Sequence, residues 1–220
     1  MDFSYMTESS ALYSANIEGN TLDLNSFMNL RGKSTTRKKE VTEIENLIAS
    51  YEYARIHPLD EKHLLKSHAL SSKTLLPPIQ RGKYRSEKVG VFGESGLIYL
   101  AIEPEKVSTE MGKFFREIEY SLSLSLETDE VLFIGSMIHL VFVHIHPFAD
   151  GNGRSARLLE KWWLASKLGE SAWMIPSEEY YWKNRHEYYQ SIALGVNYYE
   201  LDYTRALPFC SLIVKSLESI

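Results

Sequence analysis

Residues 146–157, HPFADGNGRSAR, decide how this chain folds, because they join two helices through a loop rich in polar side chains. Residues 131–145 before the loop are apolar almost all round, which predicts a buried helix. Pro147 lacks a backbone N–H and disfavours the α conformation in His146, so this helix is predicted to end at His146. Helical periodicity resumes after the loop, and Gly169 is placed to end that second helix as a left-handed cap. The loop therefore leads into the start of a helix.

The loop has the composition of an anion-binding site. Gly151, Asn152 and Gly153 allow the backbone to approach a ligand closely and to point unpaired N–H groups at it. The N-terminus of the following helix adds a partial positive charge. Arg154 and Arg157 are three residues apart, which places both guanidinium groups on one helix face, where each can bind phosphate oxygens as a fork. These features predict a phosphate group as the ligand.

Asp150 and the two nearby histidines have several interpretations. Phosphate would repel the Asp150 carboxylate unless a hard cation lay between them, and Mg²⁺ is the expected cation. Alternatively, Asp150 is only an N-cap of the following helix. A metal-hydrolase site is a further alternative, built on His144, His146 and Asp150, but the sequence offers no second cluster of His or Cys to complete it. We interpret His144 as structural and Phe148 as a packing anchor for the loop.

The same residues carry a family resemblance. Residues 146–157 match every fixed position of the Fic family signature, His-x-Phe-x-Asp/Glu-Gly-Asn-Gly-Arg-x-x-Arg, and Ala156 stands where a glycine is common. Fic proteins are largely helical enzymes, and most of them move AMP from ATP onto a hydroxyl of a target protein. The resemblance therefore implies a mainly α fold, a Fic-type helical bundle with a small β-hairpin flap.

The resemblance also implies a role for each residue of the signature. His146 would be the general base that takes the proton of the attacking hydroxyl. Asp150 would hold Mg²⁺ or Mn²⁺ on the nucleotide substrate, ATP. The remaining roles concern phosphate groups: a cradle formed by Gly151, Asn152 and Gly153, stabilisation of charge on the leaving diphosphate by Arg154, and binding of the γ-phosphate by Arg157.

A second resemblance lies upstream, in residues 14–19, Ser-Ala-Asn-Ile-Glu-Gly. It is similar to the inhibitory motif Ser/Thr-x-x-x-Glu-Gly/Asn that some Fic proteins carry on an N-terminal helix. Ser14 and Glu18 are four residues apart, so both face the same way, and Gly19 is positioned to end the helix. In the family this glutamate pairs with the second arginine of the signature, which would be Arg157 here. The alternative is that Glu18 is an ordinary solvated helix residue.

A third and looser resemblance covers residues 82–85, Gly-Lys-Tyr-Arg, and residues 89–100. Two short β-prone runs flank residues 93–96, which predicts a hairpin. In Fic proteins a hairpin at this position, called the flap, holds the target segment as an added strand over the active site. Further along, residues 180–192 resemble the helix that follows the active-site helix in the family.

Composition limits the class of protein. With 220 residues and 44% hydrophobic content the chain can bury a core as one domain, and no apolar run reaches the roughly 20 residues that span a bilayer. The start of the chain lacks the basic and apolar blocks of a secretory signal, and Cys210 is the single cysteine, so we expect a cytoplasmic protein. The net charge of −5 argues against binding nucleic acid, and the basic residues between Arg31 and Lys39 are interpreted as a solvated loop and helix start.

We expect one Fic-type domain over residues 1–220, with residues 1–35 as the N-terminal inhibitory helix region and residues 60–205 as the Fic core. The flap is expected near residues 86–102. Helices are predicted over residues 8–18, 22–30, 38–56, 60–71, 104–120, 131–145 and 154–167, with two or three more to the end of the chain.

The sequence therefore predicts a protein adenylyltransferase that transfers AMP from MgATP to a Ser, Thr or Tyr hydroxyl of a target protein, releases diphosphate and is autoinhibited by Glu18. Removal of AMP from a modified protein and transfer of another nucleotide stay open, because the same loop would serve both. A non-catalytic nucleotide-binding regulator is a further alternative, although an intact His146 argues against it. Self-modification and a homo-oligomer are compatible with the sequence, whereas nucleic-acid and membrane partners are not expected.

Overall fold

A computed structural model describes residues 3–93 and 96–218 of the chain. These residues form ten α-helices, four short 3₁₀ helices and one two-stranded antiparallel sheet. The α-helices are α1 (Phe3–Ile17), α2 (Leu24–Leu30), α3 (Lys38–Arg55), α4 (Glu61–Ser71), α5 (Pro104–Ser123), α6 (Thr128–Ile145), α7 (Asn152–Leu168), α8 (Ser177–Lys183), α9 (Arg185–Ile192) and α10 (Leu207–Glu218). The strands are β1 (Gly90–Gly93) and β2 (Gly96–Leu100). The predicted mainly α fold with a small β-hairpin is confirmed.

Local sequence signals account for several helix starts. The side chain of Asp60 accepts a hydrogen bond from the His63 N–H at 2.8 Å, which caps α4 as predicted. Pro104 stands in the first turn of α5, where its missing N–H costs nothing. At the start of α6, Glu127 and Glu130 form a reciprocal capping box, in which Glu130 accepts from the Glu127 N–H at 2.8 Å.

The centre of the fold is the pair α6 and α7. Gly135 on α6 lies where Trp163 of α7 approaches most closely, since a Cβ at position 135 would lie 3.0 Å from the Trp163 ring. The indole N–H of Trp163 donates to the Val131 carbonyl at 2.9 Å, which satisfies a buried donor. By length and mean hydropathy (1.4) α6 could cross a membrane, but 56% of it is buried inside this fold. Its apolar composition is therefore explained by its place in the core.

The N-terminal helix α1 packs mainly against α3 and α8 and also contacts α7. Its apolar residues Ala11, Leu12 and Ala15 join a core cluster with Phe27 of α2 and Ile44 of α3. This packing holds the C-terminal end of α1 against the start of α7. Gly19 follows with φ of 102°, the left-handed conformation predicted for a helix terminator.

Two predictions about elements need correction. The helix predicted over residues 180–192 is two helices, α8 and α9, because the chain departs from helical geometry at Asn184 (φ −112°, ψ 38°). The Asn184 side chain donates to the Tyr180 carbonyl at 3.0 Å, a local bond of the kind by which asparagine competes with helix formation. Helix α1 also begins earlier than predicted, at Phe3 rather than residue 8.

The predicted hairpin is present. Strands β1 and β2 pair antiparallel, with Gly90 opposite Leu100 and an irregularity in register between Val91 and Phe92. The turn predicted around residues 93–96 includes residues 94 and 95, which lie outside the described residues. The side chains of Phe92 and Ile98 are exposed. The hairpin is called the flap below.

Candidate active site

His146 is placed by the end of α6. It is the C-cap of this helix and lies in the left-handed region (φ 53°, ψ 58°), as the one non-glycine residue with positive φ in the described part of the chain. The prediction that the helix ends at His146 is confirmed. The extended conformation that a following proline favours is not adopted, however. A left-handed bend turns the imidazole back over the last turn of α6.

The ring of His146 has one nitrogen free to act as a base. Its Nδ1 lies 3.1 Å from the Val143 carbonyl oxygen, and a carbonyl only accepts, so Nδ1 carries the proton of the neutral ring. The other nitrogen, Nε2, therefore has a lone pair. Burial has the largest effect and lowers the pKa of His146, and the positive charge of Arg85 acts in the same direction, whereas the Val143 carbonyl, Glu18 and Asp150 act in the opposite direction. The imidazole is thus neutral at pH 7.

The loop after His146 is held closed by Asn152. The Phe148 N–H donates to Asn152 Oδ1 at 2.8 Å, and Asn152 Nδ2 donates to the Phe148 carbonyl at 2.9 Å. The Asn152 side chain therefore holds the loop closed through both its oxygen and its nitrogen. Phe148 is fully buried and stacks on the His68 ring at 3.6 Å between centroids, as a packing anchor would.

The start of α7 offers backbone donors. Gly151 is the N-cap, with φ of 82°, a conformation that favours glycine, and it provides no side-chain cap. The Ser155 N–H bonds to the Gly151 carbonyl at 3.0 Å, so the three preceding N–H groups have no acceptor within the helix. These groups belong to Asn152, Gly153 and Arg154, and we call them the anion cradle. The helix dipole favours negative charge there.

Asp150 is not the N-cap of α7. Its Oδ1 accepts from the adjacent Gly151 N–H at 2.6 Å, outside the helix, and lies 3.9 Å from an Arg154 nitrogen. Its side chain is 52% exposed, so a carboxylate oxygen faces outward beside the anion cradle. A single carboxylate fits Mg²⁺, which takes its remaining ligands from phosphate groups and water.

The metal-hydrolase alternative finds no support in the described residues. No group of three or more His, Cys, Asp or Glu side chains among them could hold a metal ion. His144 uses both ring nitrogens, at 2.9 Å from the Ile192 carbonyl and 3.1 Å from the Tyr203 hydroxyl. Burial also lowers the pKa of His144 to about 4. This histidine is therefore structural.

Arg157 is fully buried and contacts the motif at the end of α1. Its Nε donates to Ser14 Oγ at 2.9 Å, and one terminal nitrogen lies 2.8 Å from a Glu18 carboxylate oxygen. Another terminal nitrogen donates to the Tyr188 hydroxyl at 3.1 Å. Burial opposes the positive charge, but Tyr188 and Glu18 outweigh this effect and raise the pKa of Arg157. The guanidinium is permanently charged and fully engaged.

The Glu18 carboxylate also covers the anion cradle. A Cβ built on Gly153 would collide with Glu18 Oε1 and lie 3.2 Å from an Arg157 nitrogen, so the carboxylate sits directly on this glycine. Burial opposes the charge of Glu18, but Arg157 and Arg154 together lower its pKa. The carboxylate is therefore ionised at pH 7 and occupies the position where an anionic ligand would meet the start of α7.

Arg154 is held by a residue that sequence reasoning missed. Glu43 of α3 forms a salt bridge with Arg154, and its other oxygen accepts from Asn20 Nδ2 at 3.0 Å. The Nε of Arg154 is buried without a hydrogen-bond partner. Each arginine of the signature thus pairs with a carboxylate from outside it. No pattern around Glu43 signals this contact, because 111 residues separate it from Arg154.

Two further residues near the site were not predicted. His68 of α4 lies 3.0 Å from the Asp150 carbonyl through Nε2, and its Nδ1 accepts from the Gly82 N–H at 3.0 Å. Burial lowers the pKa of His68 to about 4, so it is a neutral bridge between the loop and the segment that leads to the flap. Arg85 bonds to the carbonyl of His146 at 2.7 Å. The looser resemblance at residues 82–85 was the available signal for Arg85.

Together these groups place a neutral histidine beside a set of backbone N–H groups and two arginines that could bind an anion, within a helical fold. Residues 58–164 match the Fic/DOC family model, so the chain contains a Fic domain. A protein from Nematostella vectensis named protein adenylyltransferase Fic is 30% identical over 196 residues, which cover 81% of this chain and 41% of that protein. The protein of the same name from Drosophila melanogaster is 28% identical over 194 residues, covering 83% of this chain and 36% of that protein.

The fold is also found in solved structures. A Fic-domain-containing signalling protein from Bacteroides thetaiotaomicron matches with a TM-score of 0.75 at 21% identity, over 98% of this chain and 86% of that one. This agreement extends to the fold of nearly the whole chain. The chain spans only about two fifths of the length of the two curated relatives.

Proposed function

We propose that this protein is a protein adenylyltransferase, which transfers AMP from MgATP to a Ser, Thr or Tyr hydroxyl of a target protein and which Glu18 holds inactive. The carboxylate of Glu18, bound to Arg157 and seated on Gly153, is the observation that carries the proposal. It places an anion of the protein itself where the nucleotide phosphates would bind. The relatives named protein adenylyltransferase give the reaction class.

The transfer step uses the free nitrogen of His146. As the target hydroxyl oxygen forms its bond to the α-phosphorus of ATP, its proton passes to His146 Nε2, and the bond from the α-phosphorus to the bridging oxygen of the β-phosphate breaks. Diphosphate leaves with that electron pair. A neutral imidazole is required before attack, and the lowered pKa of His146 supplies it.

The remaining residues bind and orient the phosphates. The anion cradle and Arg154 bind phosphate oxygens, and Arg157 binds the γ-phosphate once Glu18 has moved away. Asp150 holds the divalent cation; when bound, Mg²⁺ or Mn²⁺ offsets charge on the phosphates. Its outward carboxylate beside the anion cradle supports this role.

The single Cys210 is buried and free, which fits a reducing cytoplasm.

The test is a labelling assay with each α-labelled nucleoside triphosphate and Mg²⁺ or Mn²⁺. We expect Glu18→Gly to label itself or an added target about 10- to 100-fold more strongly than the wild type, since a charge-assisted contact contributes about 1.5–3 kcal/mol. Glu18→Gly with His146→Ala is the control, and it should not label. If Glu18→Gly labels no better than the wild type with any nucleotide, autoinhibition by Glu18 is wrong. The nucleotide preferred by Glu18→Gly also decides between AMP and another nucleotide.

The same labelled product tests removal of AMP. The Glu18→Gly variant would first label an added target protein and would then be removed. Wild-type protein would be added to this labelled target. Release of AMP by the wild type, and not by His146→Ala, would assign the reverse activity to the resting form. Nucleotide binding without label in any variant would instead favour a non-catalytic regulator.

A further inference from the structure

Arg85 is a buried cation with an unusual set of partners. Its guanidinium is bound by carbonyl oxygens, and none of the salt bridges among the described residues includes it. Its Nε donates to the His146 carbonyl at 2.7 Å, and one terminal nitrogen lies 3.4 Å from the Ile145 carbonyl. A cation is favoured at a helix C-terminus, where the last carbonyls lack intrahelical donors. Arg85 therefore caps α6 at the residue that carries the base.

The same side chain joins the two ends of the flap. One terminal nitrogen of Arg85 donates to the Glu87 carbonyl at 2.8 Å, just before β1. The other donates to the Ile102 carbonyl at 2.5 Å, just after β2. The Arg85 backbone N–H donates in addition to the Pro147 carbonyl at 2.9 Å. The Arg85 guanidinium thus connects both ends of the flap with the His146 carbonyl.

We propose that Arg85 is a positioning residue for the transfer reaction. Its hydrogen bonds fix the left-handed backbone conformation of His146, and with it the position of the imidazole relative to the two ends of the flap. The proposal rests on the proposed function, because it assigns His146 as the base and the flap as the target-docking strand. The left-handed φ of 53° is rare for a residue with a side chain and persists only where surrounding bonds enforce it. Arg85 supplies bonds to the carbonyls on both sides of the His146 α-carbon.

Geometry of this kind affects turnover more than nucleotide affinity. The anion cradle lies at the start of α7, whereas the hydrogen bonds of the Arg85 side chain go to His146, Glu87, Ile102 and Ile145. Misplacing a base by about 1 Å can reduce the rate by about 100-fold. Arg85 also acts on His146 through its charge, and the other charged groups that affect the His146 ring are Glu18 and Asp150, with His144 close by. Removing the Arg85 charge would raise the pKa of His146.

Two variants, both made in the Glu18→Gly background, separate the hydrogen bonds of the Arg85 guanidinium from the effect of its positive charge. Arg85→Lys keeps a cation but cannot bond to four carbonyls at once. We expect kcat to fall by about 10- to 100-fold, with KM for ATP within about twofold and the pKa of His146 near that of the parent. Arg85→Gln removes the charge as well, so the pKa of His146 should also rise. The pKa is measured by NMR titration of the histidine rings, with His146 assigned by its loss in His146→Ala.

Lys167 provides the matched control. Its Nζ bonds to the Leu124, Leu122 and Ser121 carbonyls at 2.6, 3.2 and 3.4 Å, so it caps the end of α5 as Arg85 caps α6. Lys167→Gln should lower thermal stability and leave both kcat and the pKa of His146 unchanged. If Lys167→Gln lowers kcat as much as Arg85→Lys does, the Arg85 effect is general destabilisation and the proposal is wrong.

The outcomes are distinguishable from failure of the proposed function. Absence of labelling in all variants would overturn the proposed transferase. The NMR titration needs no turnover, so the pKa and ring signals of His146 would still test whether Arg85 positions this residue. Unchanged kcat in Arg85→Lys together with an unchanged His146 titration in Arg85→Gln would overturn the positioning role. If Arg85→Gln does not fold, Arg85→Lys decides through the split between kcat and KM.

Discussion

At the level of single residues, the proposed transfer requires a histidine that is kept neutral. The free Nε2 of His146 follows from the bond of Nδ1 to the Val143 carbonyl, which fixes the tautomer. Burial then keeps the ring unprotonated at pH values where an exposed histidine would begin to charge. In the proposed reaction His146 would thus act as a base with a backbone carbonyl, rather than a carboxylate, bound to its Nδ1.

A first prediction concerns His146. Replacing it by Ala in the Glu18→Gly background should abolish labelling and leave ATP affinity within about threefold, because the anion cradle binds the phosphates. In Glu18→Gly itself the rate should rise with pH as the imidazole loses its proton, and the midpoint should lie below 6.5, since the pKa of His146 is lowered. Calorimetric titration and rates between pH 5 and 8 check both, and a midpoint above 6.5 would contradict the neutral-base interpretation.

A second prediction concerns Asp150. Asp150→Asn in the Glu18→Gly background should lose labelling, as should Glu18→Gly in EDTA, because the cation that offsets phosphate charge is absent in both cases. Since the side-chain oxygen of Asn can still accept from the Gly151 N–H, thermal stability should change little. Asp129→Asn, at the start of α6, is the control and should label normally. Labelling that persists in EDTA would remove the metal from the mechanism.

Among the secondary-structure elements, the flap is the one sheet in the described part of the chain. It is a two-stranded hairpin with an apolar exposed surface, which includes Phe92, 72% exposed, and Leu97, 53% exposed. Two strands alone offer an edge with unpaired backbone groups, which is the structure that accepts an added strand from a partner. The flap is joined through Arg85 to the end of α6, so a bound segment would have a defined position relative to His146.

A third prediction follows for the flap. Phe92→Ser in the Glu18→Gly background should reduce labelling of an added protein target by about tenfold, with ATP affinity unchanged, because a buried aromatic contact typically contributes more than 1 kcal/mol at an interface. The matched control is Phe133→Ser, which changes an aromatic residue of α6 that is 49% exposed at the end away from His146. Equal losses in the two variants would place target binding elsewhere.

Considered as a whole, the molecule joins the end of α1 to the start of α7 through the Glu18–Arg157 ion pair and the hydrogen bond from Arg157 to Ser14. Helix α1 packs on α3 through Ala11, Leu12 and Ala15, and its end delivers Glu18 to Arg157. Glu18 and ATP would compete for the same guanidinium and the same cradle. The stability of the fold and nucleotide binding would therefore be linked, because a ligand that displaces Glu18 breaks the contact between Glu18 and Arg157.

A fourth prediction uses this linkage. Glu18→Gln should lower Tm, since a contact contributing about 1–3 kcal/mol is lost and each kcal/mol shifts Tm by about 2–4 °C in a domain of this size. Saturating MgATP should then raise Tm more in Glu18→Gln than in the wild type. Glu8→Gln, which breaks another ion pair of α1 with Arg31, is the control and should respond to ATP as the wild type does.

The pH dependence of that difference has a definite sign. Because the pKa of Glu18 is lowered in the folded state, its contribution is fully present above the unfolded value of 4.5 and is lost as pH falls below it. The Tm difference between wild type and Glu18→Gln should thus be constant from pH 6 to 8 and shrink below pH 4.5. Calorimetric scans at these pH values check it, and a difference that vanishes at pH 6 would contradict an ionised Glu18.

The sequence by itself determined the features that local patterns encode. Apolar periodicity, Pro147 and the glycines predicted α6, the loop and α7, and the glycine-flanked β-prone runs predicted the flap. The spacing of Ser14 and Glu18 predicted that both face one way, and both contact Arg157. These features depend on residues within a few positions of one another, so they can be predicted from the sequence without knowledge of the fold.

Only the tertiary structure decided which distant groups meet. Glu43 on Arg154, His68 on the Asp150 carbonyl and Arg85 on the His146 carbonyl join residues 111, 82 and 61 positions apart. The left-handed bend of His146 is a further case, because the local sequence predicted only that the helix ends there. Helix packing brings these groups together, and a buried polar group must then find whichever partner the packing places beside it. No spacing in the sequence encodes that partner.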